Sequence, residues 1–167
     1  VRRLFSGKYP YKMEDESWAV HVPRDYDPDV PLGLLVFVSA GNGASMGYWV
    51  KAVEGHQMIF VSPLKAGNSE SPVGRRMPLA LDAVYNLGGI YSIDTERIYI
   101  SGFSGGGRLA SRLAIAFPDI FTGGIFMCGC NYYRTHEIDR GRYWPPGIAL
   151  NSRSLFNKAR ANSQLVL

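Results

Sequence analysis

Gly102, Ser104 and Gly106 place a serine between two glycines at the spacing Gly-x-Ser-x-Gly, directly behind the β-branched and aromatic run Ile98, Tyr99, Ile100. Residues at helical spacing follow at once. A strand, a tight turn and a helix in that order lift a hydroxyl out of a sheet, which is the geometry of a nucleophile elbow for attack on a carbonyl. Glycine at 102 and 106 removes Cβ atoms where the turn crowds its neighbours. The amide of Gly105 then sits at a helix N-terminus, where free N–H groups and the positive dipole end suit the oxyanion of acyl transfer. Ser104 is the expected nucleophile and Gly105 an expected oxyanion donor. A phosphate-cradling turn would instead carry Gly-Lys-Ser/Thr or Gly-x-Gly-x-x-Gly, and neither is present.

A serine hydroxyl also needs a base. The only histidine after Ser104 is His136, with Asp119 the only acid between them and Asp139 following. His21 and His56 precede the turn and read as structural or exposed. Cys128 and Cys130 lack the spacing of a redox or zinc motif and read as buried thiols. No metal or cofactor is implied.

The elements that must position Ser104 alternate along the chain. Ala19 to Val22, Leu34 to Val38, Met58 to Ser62, Ile98 to Ser101 and Gly124 to Cys128 read as strands, with Gln164 to Leu167 opening another. Ala80, Val84, Leu87 and Tyr91 repeat at helical spacing behind Pro78. Leu109, Leu113, Ala116 and Phe117 do so ahead of Pro118, and Leu155 to Ala161 forms a short helix. Apolar strands separated by helices predict an α/β fold, a mostly parallel sheet with helices on both faces. Such a sheet gathers its site outside the carboxyl ends of its strands. The loops after Val38, Pro63 and Cys130 therefore share an edge with Ser104.

The 167 residues are 46% hydrophobic and 13% aromatic, ample for one packed domain spanning 1–167. Eighteen Lys and Arg against fourteen Asp and Glu give a net charge of +4. The basic residues are scattered, and Arg75 with Arg76 and Arg140 with Arg142 read as solvated loop charges, so a nucleic-acid partner is not expected. No apolar run approaches a membrane span, and no signal-type segment opens the chain. Secreted, periplasmic and cytoplasmic settings all fit, and nothing here sets an oligomeric state.

In the stretches Val20 to Pro23, Pro31 to Val38, Val61 to Pro63 and above all Ile93 to Gly107, the chain resembles the α/β-hydrolase superfamily. Within it, the similar branch is that of polyhydroxybutyrate-depolymerase-like, feruloyl and acetylxylan esterases. The resemblance continues through Pro118 to Phe121 and Gly123 to Phe126. It implies a serine esterase working through an acyl-enzyme on Ser104, with a small-molecule or polysaccharide-linked ester as substrate. Two departures stand out. The family's His-Gly after the third strand is replaced by Ser39, Ala40, Gly41, Asn42, Gly43, where the amide of Ala40 or Gly41 is the expected second oxyanion donor. The family order Ser, Asp or Glu, His also runs past the last predicted strand, so the chain is expected to be cut at its C-terminal side, without its acid and His and inactive alone. A Ser104–His136 dyad is the substitute the chain itself offers.

The segment Asn131 to Gly147, expected as a loop, holds Tyr132, Tyr133, Tyr143 and Trp144 among Arg134, Arg140 and Arg142. Tyr132, Tyr133 and Trp144 are expected substrate contacts, since aromatic faces stack on sugar rings or phenolic acyl groups. A lid cluster explains them equally. Two other readings share the pattern: a noncatalytic carbohydrate-binding pseudoenzyme and a serine peptidase of the same fold.

Overall fold

All seven residues of the strand Leu32–Val38 are buried, which requires cover on both faces of the sheet. The computed structural model describes residues 10–129, 136–139, 141–144 and 153–162. Strands β1 (Trp18–His21), β2 (Leu32–Val38), β3 (Met58–Pro63), β4 (Ile93–Phe103) and β5 (Gly123–Met127) form a five-stranded sheet in the order β1-β3-β2-β4-β5. Strands β3, β2, β4 and β5 run parallel, and β1 closes one side antiparallel to β3. The helices are α1 (Val50–Gly55), α2 (Met77–Gly88), α3 (Gly105–Ala116) and α4 (Arg153–Asn162).

The two-residue period of β2 sorts its side chains onto two layers. Leu32, Leu34, Val36 and Val38 join Ile59, Val61, Ile98 and Ile100 under α2 and α3. Leu35 and Phe37 face the other way, against Phe60, the α1 residue Val53 and Trp49. Phe37 stacks on Phe60 with ring centroids 5.9 Å apart. Helix α2 starts with Pro78 in its first turn, where a missing N–H costs nothing, and buries Ala80, Ala83 and Leu87. Helix α3 buries Leu109, Ala110, Leu113 and Ala114, one stripe at helical spacing, and ends ahead of Pro118.

The α/β expectation holds, with differences that have local causes. Strand β4 begins at Ile93, not Ile98, because Leu32 pairs with Ile93 and Leu34 with Ile98 while the residues between bulge out. The Asp94 carboxylate accepts from the Glu96 amide at 3.0 Å and closes that bulge, so its polar sequence reads as a turn. Tyr91 lies beyond α2 and meets Tyr26 edge to face at 5.4 Å. The short α1, with Val53 its one buried residue, is too brief for periodicity to reveal.

The expected 131–147 loop holds an antiparallel pair instead, β6 (His136–Asp139) with β7 (Arg142–Trp144), turned at Gly141 with φ of 76°. Cys128 is exposed, not buried, because β5 stops at Met127 and the chain turns there with φ of 53°. Cys130 and the expected strand 164–167 lie outside the described residues.

Ile100 is fully buried at the centre of β4. Ile100→Ala is expected to cost about 2–5 kcal/mol, read as a lowered midpoint with unchanged slope in urea unfolding. Ile90→Ser, at a site 69% exposed, should stay within about 0.5 kcal/mol.

Candidate active site

Ser104 lies between the end of β4 and the start of α3 with φ of 54° and ψ of −119°. A serine in that region costs on the order of 1–3 kcal/mol, so its surroundings must impose it. They do so through the backbone. The Ser104 amide donates to the Met127 carbonyl at 2.8 Å, and the Ser104 carbonyl accepts from the Arg108 amide at 3.0 Å. A Cβ on Gly106 would collide with the Val38 carbonyl at the end of β2, and one on Gly102 with the backbone of Gly106. Strand, turn and helix thus approach too closely for any side chain at either position. The half-buried Ser104 hydroxyl has no hydrogen-bond partner among the described residues.

Two backbone donors stand near it. The Gly105 amide opens α3 and receives no side-chain cap. In the loop after β2, the Gly41 amide donates to Ser39 Oγ at 3.2 Å, whereas the Ala40 carbonyl accepts from the Asn68 amide at 2.9 Å. Of the two loop amides expected from the sequence, Gly41 is therefore engaged. The Ala40 N–H donates to nothing among the described residues. Asn68, whose amide holds the Ala40 carbonyl, also lies against Gly105 and so links the loop after β2 to the first turn of α3.

Arg76 fixes that loop, and the sequence alone concealed it. Its guanidinium is not a solvated loop charge but 4% exposed, donating through Nε to the Ala66 carbonyl at 2.7 Å and through Nη2 to the Ser39 carbonyl at 3.0 Å. One side chain thereby ties the loop after β2 to the loop after β3. Burial lowers its pKa, and the nearby Glu70 carboxylate works in the opposite direction. Arg75 is likewise paired, with both Glu16 oxygens at 2.8 and 2.7 Å. The positions of Arg75 and Arg76 in a π-helical turn, Pro72–Arg76, point them inward, a geometry that composition does not signal.

His21, His56 and Asp119 lie away from Ser104. His21 pairs with Phe60 and Trp18 with Pro63, so His21 points toward the starting edge of β3; its Nε2 lies 3.2 Å from Glu54 Oε1. His56 caps α1 on that same far edge, its carbonyl accepting from Arg97 Nη2 at 2.6 Å. Asp119 is exposed in the turn beyond the far end of α3. His136 and Trp144 belong to described strands, but their side chains, like all of Tyr132 and Tyr133, lie outside the described residues. Gly129 packs against the Ser104 carbonyl, which brings the start of the third expected loop to the site. Among the described residues no group of three His, Cys, Asp or Glu gathers to hold a metal. None of the described helices is long and apolar enough to cross a membrane.

A cleft of about 790 Å³ borders Ala40 and is lined by Phe37, Trp49, Phe103 and Met127, with no charged residue among the described residues of its walls. Phe103, next to Ser104, is 51% exposed on it.

No family model matches the chain, and no curated protein matches it. Solved structures do. A thermostable esterase superposes with a TM-score of 0.57 at 26% identity, over 70% of this chain and 38% of that one. Acetyl xylan esterase from Aspergillus awamori gives 0.55 at 17% identity, over 66% and 45%. A fluorophosphonate-binding serine hydrolase of Staphylococcus aureus gives 0.53 at 16% identity, over 66% and 50%. The chain shares the α/β-hydrolase fold of these proteins and spans half or less of the length of each.

Gly106→Ala, which sets a methyl against the Val38 carbonyl, is expected to lose roughly 3 kcal/mol or more. Gly43→Ala, which meets nothing within 4 Å, should stay within about 0.5 kcal/mol in the same thermal-unfolding series.

Proposed function

We propose that the chain carries the nucleophile and oxyanion side of a serine carboxylic-ester hydrolase. Ser104 Oγ attacks the ester carbonyl carbon, and the carbonyl oxygen, gaining charge, is held by the Gly105 and Ala40 amides. Collapse of the tetrahedral species expels the alcohol and leaves an acyl-enzyme on Ser104, which water then hydrolyses. The observation that supports this reading is the positive φ of Ser104 between the end of β4 and the first turn of α3, with the Gly105 and Ala40 amides unpartnered among the described residues.

The proton of Ser104 must go to a base. That base and the carboxylate orienting it are proposed to lie outside the described side chains, with His136 the one candidate downstream in this chain. Without them, catalysis falls by about 10⁴- to 10⁶-fold, leaving what binding and the oxyanion donors supply. The substrate is a small-molecule or polysaccharide-linked ester, with the aromatic-lined cleft beside Ala40 taking its apolar part. Among esterases of this fold, the polyhydroxybutyrate-depolymerase-like, feruloyl and acetylxylan types offer such substrates.

Protein made from the complete natural reading frame should be labelled covalently by an alkyl fluorophosphonate, with peptide mass spectrometry placing the adduct on Ser104. Ser104→Ala should abolish the adduct. A folded protein that stays unlabelled would overturn the reading and favour a noncatalytic carbohydrate-holding fold.

A further inference from the structure

Asn68 stands in the loop after β3, in a four-residue turn that the Glu70 amide closes by donating to the Gly67 carbonyl at 3.0 Å. The chain on both sides of it is tied down. Arg76 Nε holds the Ala66 carbonyl at 2.7 Å, the Gly67 amide donates to Asn42 Oδ1 at 3.2 Å, and the Asn68 amide donates to the Ala40 carbonyl at 2.9 Å. Three successive residues, 66 to 68, are thereby fixed in place, and the Asn68 side chain leaves from a backbone that cannot drift.

That side chain reaches over the elbow. Its carboxamide takes the place that a Cβ on Gly105 would need: such an atom would strike Oδ1 and Cγ and stand 2.7 Å from Nδ2. The nitrogen and Cβ of one residue are about 2.5 Å apart, so Nδ2 lies within about 5 Å of the Gly105 nitrogen. Two N–H donors at that separation can share one oxygen, each at about 2.9 Å. Asparagines in turns commonly spend the carboxamide on their own backbone two residues on. Asn68 does not: its side chain is exposed and makes no hydrogen bond among the described residues. Filling the space above Gly105 would need only carbon, whereas a carboxamide also brings a donor.

We propose that Asn68 is a further catalytic residue, whose Nδ2 donates to the carbonyl oxygen of the substrate beside the Gly105 amide. The inference rests on Ser104 as nucleophile. A hydrogen bond to an ionised oxygen is roughly twice as strong as one to a neutral carbonyl, so this donor acts more on the tetrahedral species than on the bound ester. Its contribution falls on the rate and little on binding. An aspartate of the same outline would offer no donor and would set a negative charge against the oxyanion.

The test follows p-nitrophenyl acetate hydrolysis by protein from the complete reading frame. Asn68→Leu, close in size and shape but without a donor, should lower kcat by about 10²-fold and leave KM within about threefold. Asn68→Asp should lower kcat by at least as much. An alkyl trifluoromethyl ketone, whose hemiketal on Ser104 carries the oxyanion, should bind each variant more weakly by the factor lost from kcat/KM. A role in holding the loop would not produce that match. Ser69→Ala, at the next and equally exposed position, should change none of these values. Two variants of opposite polarity keep the test decisive if one of them fails to fold. A kcat within about threefold of wild type in the folded variants, or a loss borne by KM alone, overturns the inference, while labelling of Ser104 by the fluorophosphonate leaves the hydrolase reading standing. A wild type that neither turns over the ester nor takes the fluorophosphonate overturns both.

Discussion

The contact between Gly106 and the Val38 carbonyl is the constraint from which the rest of the site follows. It presses the first turn of α3 against the end of β2, and the chain leaving β4 has no room to enter that helix except through a positive φ at residue 104. The strain at Ser104 is therefore a consequence of sheet and helix packing. Leu109, Ala110 and Leu113 seat α3 on the β2 and β4 side chains, and that buried area supplies the free energy that holds the turn in place. A substitution loosening this packing would relax the serine before it unfolded the sheet.

The loop after β2 is held by different means. Gly67 in the loop after β3 lies against the Gly41 backbone, too close for a Cβ at 67. Polar ties join the same two loops: the Asn68 amide on the Ala40 carbonyl, the Lys65 amide on the Asn42 carbonyl, the Gly67 amide on Asn42 Oδ1 and the buried Arg76 on the Ser39 carbonyl. Asn68 also rests against Gly105, so the two candidate donors are referenced to one side chain. Burying an arginine is costly unless its donors are filled, and Arg76 fills them with carbonyls that would otherwise lie unpaired.

What was legible in the sequence was what short-range rules govern. Gly102, Ser104 and Gly106 end one strand and open one helix, so that strand–turn–helix order was visible in ten residues, and the apolar strands announced a covered parallel sheet. Arg76 was not legible, because a pair of adjacent arginines in a Pro-Gly-rich segment looks solvated until the π-helical turn aims one inward. The choice between Ala40 and Gly41 was equally hidden. It depends on whether the Ser39 hydroxyl takes one of their amides, a question of a few tenths of an ångström. Cys128 failed for a third reason: the strand ends one residue earlier than its apolar letters suggest, and a thiol expected inside the sheet turns outward.

Two kinds of chemistry are thereby separated within the fold. Stabilising a negative oxygen needs amides fixed by the backbone, and β2, β4 and α3 with their connecting loops are enough to fix them. Moving a proton needs an imidazole held by a carboxylate at hydrogen-bond range, and His21 and His56 lie toward the opposite edge of the sheet. An oxyanion donor contributes about 10²- to 10³-fold, and loss of the base costs about 10⁴- to 10⁶-fold. In the reaction proposed above, the described residues would supply recognition of the carbonyl and of its developing charge, whereas the rate would be set by the group that reaches Ser104 Oγ. The Ser104 hydroxyl is half exposed and has no partner among the described residues, so the base that the proposed reaction requires could approach it without any rearrangement of the strand, turn or helix that present it.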